Sequence, residues 1–166
     1  RRAQAQNMTA RAIRLAAVML AATAILGLLL LSNHAYSWWL EIREPITNLH
    51  LSWGLLGWVG VLVVGVAFQV VPMFQLTPVY PAFMTRWLAI FVFLLLLALS
   101  LGVVFPALQL PLGLALSSAL VWFAVTTLRL QNQRKRKLPD VTLSFWLGGM
   151  LCLLLAIALW LAGQMI

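Results

Sequence analysis

The sequence predicts an all-α protein, a polytopic bundle of about five transmembrane helices that forms a single domain over residues 1–166. Three observations lead there. The composition is 64% apolar and 8% charged, where a soluble domain is roughly half apolar and about a quarter charged. Mean hydropathy is +1.02, and the apolar residues lie in long uninterrupted runs, the pattern expected when lipid surrounds the fold. The 11 Lys and Arg side chains stand outside the heart of those runs.

The first span is expected over residues 15–32, where no ionisable side chain interrupts Ala, Leu, Ile and Val. At about 1.5 Å per residue it crosses most of a roughly 30 Å hydrocarbon core. Asn33, His34, Tyr36, Trp38 and Trp39 follow, and aromatic rings with a polar edge belong at the headgroup level. A loop carrying Glu41, Arg43, Glu44 and Pro45 leads to a second span over residues 46–71, ending at Pro72. In PMFQLTPVYP the prolines Pro72, Pro78 and Pro81 withhold backbone donors and bias their predecessors to extended geometry, so this stretch reads as a connector. The remaining spans are expected over residues 87–105, 110–128 and 141–163.

Five spans also sort the charges. Arg1, Arg2, Arg11, Arg14, Arg86, Arg129, Arg134, Lys135, Arg136 and Lys137 fall on one side, and Arg43 alone falls on the other. Adding or removing one helix would split the two basic clusters across the membrane. The richer side is the cytoplasmic one by the positive-inside rule, which places the N-terminus in the cytoplasm and the chain in a bacterial-type inner membrane. The net charge of +8 is thereby topological: the basic clusters lack an interleaved polar face, and no nucleic-acid partner is expected. The run QNQRKRKLPD suits anionic headgroups, and it serves equally as an orientation signal. The chain opens on Arg1-Arg2 without a methionine and closes just after an apolar run, which fits a piece of a longer protein. The expected partners are the bilayer, other membrane subunits or the remainder of such a chain.

Few residues can carry chemistry. The three acids Glu41, Glu44 and Asp140 all flank the spans, the single cysteine Cys152 has no partner thiol, and no phosphate loop, zinc motif or triad is present. Ordinary hydrolysis is excluded on those grounds, and a proton-coupled transporter would carry an acid within its spans. The informative segment is the second span. At about 100° per residue, His50, Gly54, Gly57, Val61, Val64, Gly65, Phe68 and Pro72 share one stripe. Glycines so spaced admit either another backbone or a flat cofactor. An imidazole at His50 can reach a haem iron on that side, and it can equally be an interfacial histidine bonded to water or a carbonyl.

The string HLSWGLLGWVG, with Gly65 and Pro72 beyond it, resembles the haem-ligating helix of the haem-copper oxidase catalytic subunits, and more narrowly the smaller bacterial oxidase-subunit-like membrane proteins. The resemblance covers residues 47–81, about a fifth of the chain. It implies that His50 ligates the iron of haem b beside Gly54 and Gly57, with a role in electron transfer or haem handling. The family's copper-site histidines and other haem ligands have no counterpart, since His34 is the only other histidine, so an oxygen-reducing centre is not expected.

His34, expected at the depth of His50 on an antiparallel neighbour, is the candidate second ligand and also a simple member of the aromatic belt. Gln69 and Met73 read as packing residues, and Ser117, Ser118, Gly148 and Gly149 as small residues that allow close helix approach. Trp53, Trp58 and Trp122 either wall a cofactor pocket or face lipid. The alternative function is a cofactor-free permease, or a structural or assembly subunit of a membrane complex.

Overall fold

The computed structural model describes the backbone of residues 2–36, 43–136, 138 and 141–165, with side chains from Met8 onward. Arg1, Trp38, Trp39, Glu41, Lys137 and Asp140 lie outside the described residues, as does the side chain of Arg2. Among the described residues there is no strand. Five rods are long and apolar enough to cross a bilayer: Met8–Tyr36, Arg43–Gln75, Ala82–Leu101, Pro106–Asn132 and Val141–Gly163. The all-α membrane bundle expected from the sequence is the fold observed.

The first rod belongs to helix α1, Arg2–Tyr36. Its 35 residues exceed the roughly 20 needed to cross a hydrocarbon core, so the turns carrying Arg11 and Arg14 extend beyond the expected span. The second rod is composite: α2 (Arg43–Leu51), a π-helical segment (Ser52–Gly60) and α3 (Val61–Gln75) run end to end. Helix α4 is Ala82–Leu101, a 3₁₀ turn at Pro106–Leu108 leads into α5, Gln109–Asn132, and α6 is Val141–Gly163.

Pro72 does not end the second rod. Helix α3 continues past it to Gln75, and Leu76 then closes the helix in the left-handed conformation (φ 53°, ψ 42°). The connector is therefore residues 76–81, shorter than the proline spacing predicts. A proline inside a membrane helix is tolerated where neighbouring groups satisfy the freed backbone. The carbonyl of Leu76 accepts the amide of Lys135 at 3.2 Å, and Arg136 donates to the carbonyl of Phe74 at 3.2 Å, which ties this connector to the loop after α5.

In lipid, helix association rests on close packing and hydrogen bonds, because the surroundings are as apolar as the side chains. The core is accordingly a dense seam. Met19 of α1, Val64 and Val71 of α3, Leu88 and Leu96 of α4 and Phe123 of α5 are all buried. Helix α1 packs along the second rod and against α4, α4 packs on α5, and α5 on α6. Only Leu143, Met150 and Ile157 of α6 are buried, one residue every second turn, so α6 meets the rest along a narrow line. Gly148 and Gly149, expected to allow a close helix approach, have open space where a Cβ would stand.

The connector is anchored by Tyr80. Its ring packs edge-on to Phe68 (centroids 5.1 Å apart) and stacks on Phe123 (6.2 Å). Thr127 spends its single hydroxyl proton on the carbonyl of Phe123 at 2.8 Å, so Tyr80 must be the donor in the 3.0 Å bond to Thr127 Oγ1. Burial pushes the phenol up to about 12, against a smaller opposite effect of Thr127, whose hydroxyl can turn to donate to the ionised phenolate.

Candidate functional site

The candidate site begins where α2 gives way to the π-helical segment. Ser52–Gly60 spells SWGLLGWVG, the core of the motif singled out by the sequence, and its i→i+5 turns are wider than those of an α-helix. A nine-residue π-helix is unusual, and π-bulges concentrate at functional sites. A Cβ at Gly60 would stand 3.2 Å from the carbonyl oxygen of Leu55, five residues back in the same helix, a close approach that the turn would have to absorb. No periodicity rule reveals the π-geometry. The three glycines in nine residues were the signal available.

His50, in the last turn of α2, points at α1. Its Nδ1 lies 3.0 Å from the carbonyl oxygen of Thr23, and its Cε1 lies 3.0 Å from the place where a Cβ on Gly27 would stand. A carbonyl can only accept, so the 3.0 Å contact puts the proton on Nδ1 and leaves the Nε2 lone pair free to accept or ligate. Thr23 is buried, and its hydroxyl donates back to the Met19 carbonyl at 2.8 Å. Histidine at 50 and glycine at 27 thus form a ring-and-notch contact between two rods. The Gly27 half of that contact carries no mark in the sequence, because only the tertiary pairing brings position 27 opposite position 50.

The glycine stripe continues this contact. A Cβ on Gly54 would stand 3.2 Å from Thr23 Cγ2, one on Gly57 3.0 Å from Leu96 Cδ1 and 3.3 Å from Met19 Sδ, and one on Gly65 2.7 Å from the Cβ of Ala12. Of the two uses of such a stripe, the approach of another helix is what fills it: α1 lies along the stripe, with α4 closing at Gly57. His34 is exposed in the last turn of α1. The ring of His50 lies level with Thr23 and Gly27, so His34 stands seven residues, or about 10 Å, further along the helix and not at the same depth. Among the described residues, no group of three or more His, Cys, Asp or Glu side chains gathers as a metal cage would.

The tryptophans divide. Trp53 is buried, donates from Nε1 to Ser100 Oγ at 3.1 Å and meets Phe93 edge-on at 5.9 Å, so it joins the π-segment to α4. Trp58 and Trp122 are partly exposed on the bundle's exterior. Gln69 is half-buried, whereas Met73, expected to pack within the bundle, is exposed on its outside.

A cleft lies on the other face of α2. It has a volume of about 720 Å³ and is half-open, between α2, the end of α4, α5 and α6. His50 is not in its lining, whereas Asn48 and Ser52, on the opposite side of the helix turn, are. Sequence reasoning gave no sign of this cleft, since its walls come from four separated segments. Set against protein-family models, curated proteins and solved structures, the chain finds no match in any of the three.

Proposed function

We propose that the chain is a multi-pass inner-membrane protein with its N-terminus in the cytoplasm, and that it binds b-type haem through Nε2 of His50 in electron transfer or haem handling. The observation that carries this reading is the Nδ1 contact to the Thr23 carbonyl at 3.0 Å. Metal-ligating histidines almost always donate their second ring nitrogen to a carbonyl or carboxylate, which fixes the ring and the tautomer. The π-helical segment directly after His50 supports it further, as does the resemblance of HLSWGLLGWVG to the oxidase-subunit helix.

The donor set offers one imidazole, anchored at Nδ1; His50 lines neither cleft, so a porphyrin would need the rods to part beside it or a partner subunit to complete its bed. Gly54 and Gly57 are taken by Thr23, Met19 and Leu96, so they serve the placement of His50 and not a bed for the porphyrin. A bound haem supplies one-electron chemistry at its iron. The chain's own part is to orient the imidazole and to exclude water with the apolar rods around it. The second axial ligand then belongs to another subunit or to the rest of a longer chain. Placement of the N-terminus in the cytoplasm rests on the ten-to-one division of Lys and Arg.

One observation favours a second reading. The helix-filled glycine stripe also suits a cofactor-free structural or assembly subunit, in which the His50–Thr23 bond only locks two rods together. A reduced-minus-oxidised absorption spectrum of the protein purified in mild detergent from haem-replete cells separates the two. Sharp haem bands that vanish in His50→Ala, in a variant still folded by circular dichroism, support the ligand. A bandless spectrum of the unmodified protein overturns it in favour of the structural subunit.

A further inference from the structure

We infer that the cleft between α2, α5 and α6 is a binding site for one amine-bearing phospholipid, taken up from the leaflet at the Glu44 end. Its charged and amide side chains sit at one end, Glu44 and Asn48 on α2, Gln109 at the start of α5 and Gln164 just beyond α6, while the hydroxyls of Ser52 and Ser117 lie deeper. Its floor is apolar, formed by Leu56, Leu120 and Leu153. From Gln109 to Leu120, and from Gln164 to Leu153, eleven residues at about 1.5 Å each give a depth of roughly 16 Å, which is one leaflet of a roughly 30 Å hydrocarbon core. A half-open slot with a polar mouth, an apolar floor and the depth of one leaflet has the polarity and length of a lipid molecule. Its volume of about 720 Å³ is too small for a whole two-chain phospholipid, so the slot takes the headgroup and one acyl chain and its open side leaves the second chain in the bilayer.

The mouth selects the headgroup. Glu44 is the one charged side chain among the described residues of the lining, and no Lys or Arg accompanies it there. A carboxylate facing a purely anionic headgroup is repulsive, whereas an ammonium supplies a charge-assisted hydrogen bond to it. The amides of Asn48 and Gln164 offer donors for the phosphodiester, while the amide nitrogen of Gln109 gives one of its two hydrogens to the Gly102 carbonyl at 3.0 Å. Together these features favour a phosphatidylethanolamine-type headgroup over a phosphatidylglycerol-type one. The site lies on the face of α2 away from His50, so it stands whether or not haem binds there.

The test is native mass spectrometry of the full chain, delipidated in mild detergent and titrated separately with phosphatidylethanolamine and phosphatidylglycerol. The expected result is one retained phosphatidylethanolamine, held about tenfold more tightly than phosphatidylglycerol, as one charge-assisted bond allows. Glu44→Gln should bring the two lipids within about twofold of each other without changing the cleft's volume. Ser117→Phe, which fills the slot about three-quarters of the way to its floor, should lower retention of both. Equal retention of the two lipids by the unmodified chain overturns the inference. So does undiminished retention in Ser117→Phe, or a dimer that this substitution dissociates, because a second copy would then be the occupant.

Discussion

The contact of α1 with the second rod makes the substitution Gly65→Ala a demanding test of the bundle. An added Cβ would stand 2.7 Å from the Cβ of Ala12, against an ordinary carbon–carbon separation of about 3.5–4.0 Å. Neither atom belongs to a flexible side-chain end, so the helices must separate by about 1 Å, loosening the neighbouring packing. Overpacking of this kind costs about 1–3 kcal/mol, partly offset by the roughly 0.8–1.0 kcal/mol by which alanine surpasses glycine in a helix. The expected net loss is about 1–2 kcal/mol. Moving the methyl across the seam, as Ala12→Gly with Gly65→Ala, should return the protein to within about 0.5 kcal/mol of the original, because clash and propensity then both cancel. Gly148→Ala is the control: nothing lies within 4 Å of its Cβ, so it should be neutral or stabilising. Unfolding by sodium dodecyl sulfate in mixed micelles, followed by circular dichroism, gives these differences. An unimpaired Gly65→Ala variant, or a double variant no better than the single one, refutes the pairing of positions 12 and 65.

Three further outcomes are expected. In Gly27→Ala the new Cβ at 3.0 Å displaces His50 Cε1 and stretches the bond to Thr23, costing about 0.5–1.5 kcal/mol that disappears in a His50→Ala background; additive losses in the same unfolding assay would sink the ring-and-notch contact. Leu76→Gly relieves a left-handed residue worth about 1–2 kcal/mol and adds about 0.5–1 kcal/mol of chain entropy to the unfolded state, so a gain of about 0.5–1 kcal/mol should appear, and a loss would deny the strain. Tyr80, raised from 10 to about 12, is favoured as the neutral phenol in the fold. Its contribution is complete below pH 10 and drains away as pH rises towards 12, roughly 2–3 kcal/mol in all. In a Tyr36→Phe variant the remaining tyrosine should therefore ionise near 12 by tyrosinate absorbance, and a midpoint near 10 would show the ring to be solvated.

The sequence by itself determined the solvent and, through it, the architecture. A bilayer fixes the length of every crossing and requires each backbone group to be bonded within its own helix, so apolar run lengths alone locate the rods. The fifth span, residues 141–163, coincides with α6 because both its ends are marked by polar residues. Pro72 misled the reading of the second span, since proline penalties refer to an isolated helix and not to one held by neighbours. The candidate histidine and its glycine stripe were also legible, as a periodic face, while the occupant of that face was not. Periodicity says which residues point the same way, and it is blind to what they meet. Tertiary structure alone set Thr23 and Gly27 against His50, laid α1 along the glycines where a flat cofactor had been an equal alternative, and widened SWGLLGWVG into a π-helix. It alone built the cleft at Glu44, because segments 44–56, 99–103, 109–120 and 153–164 become neighbours only when the rods pack.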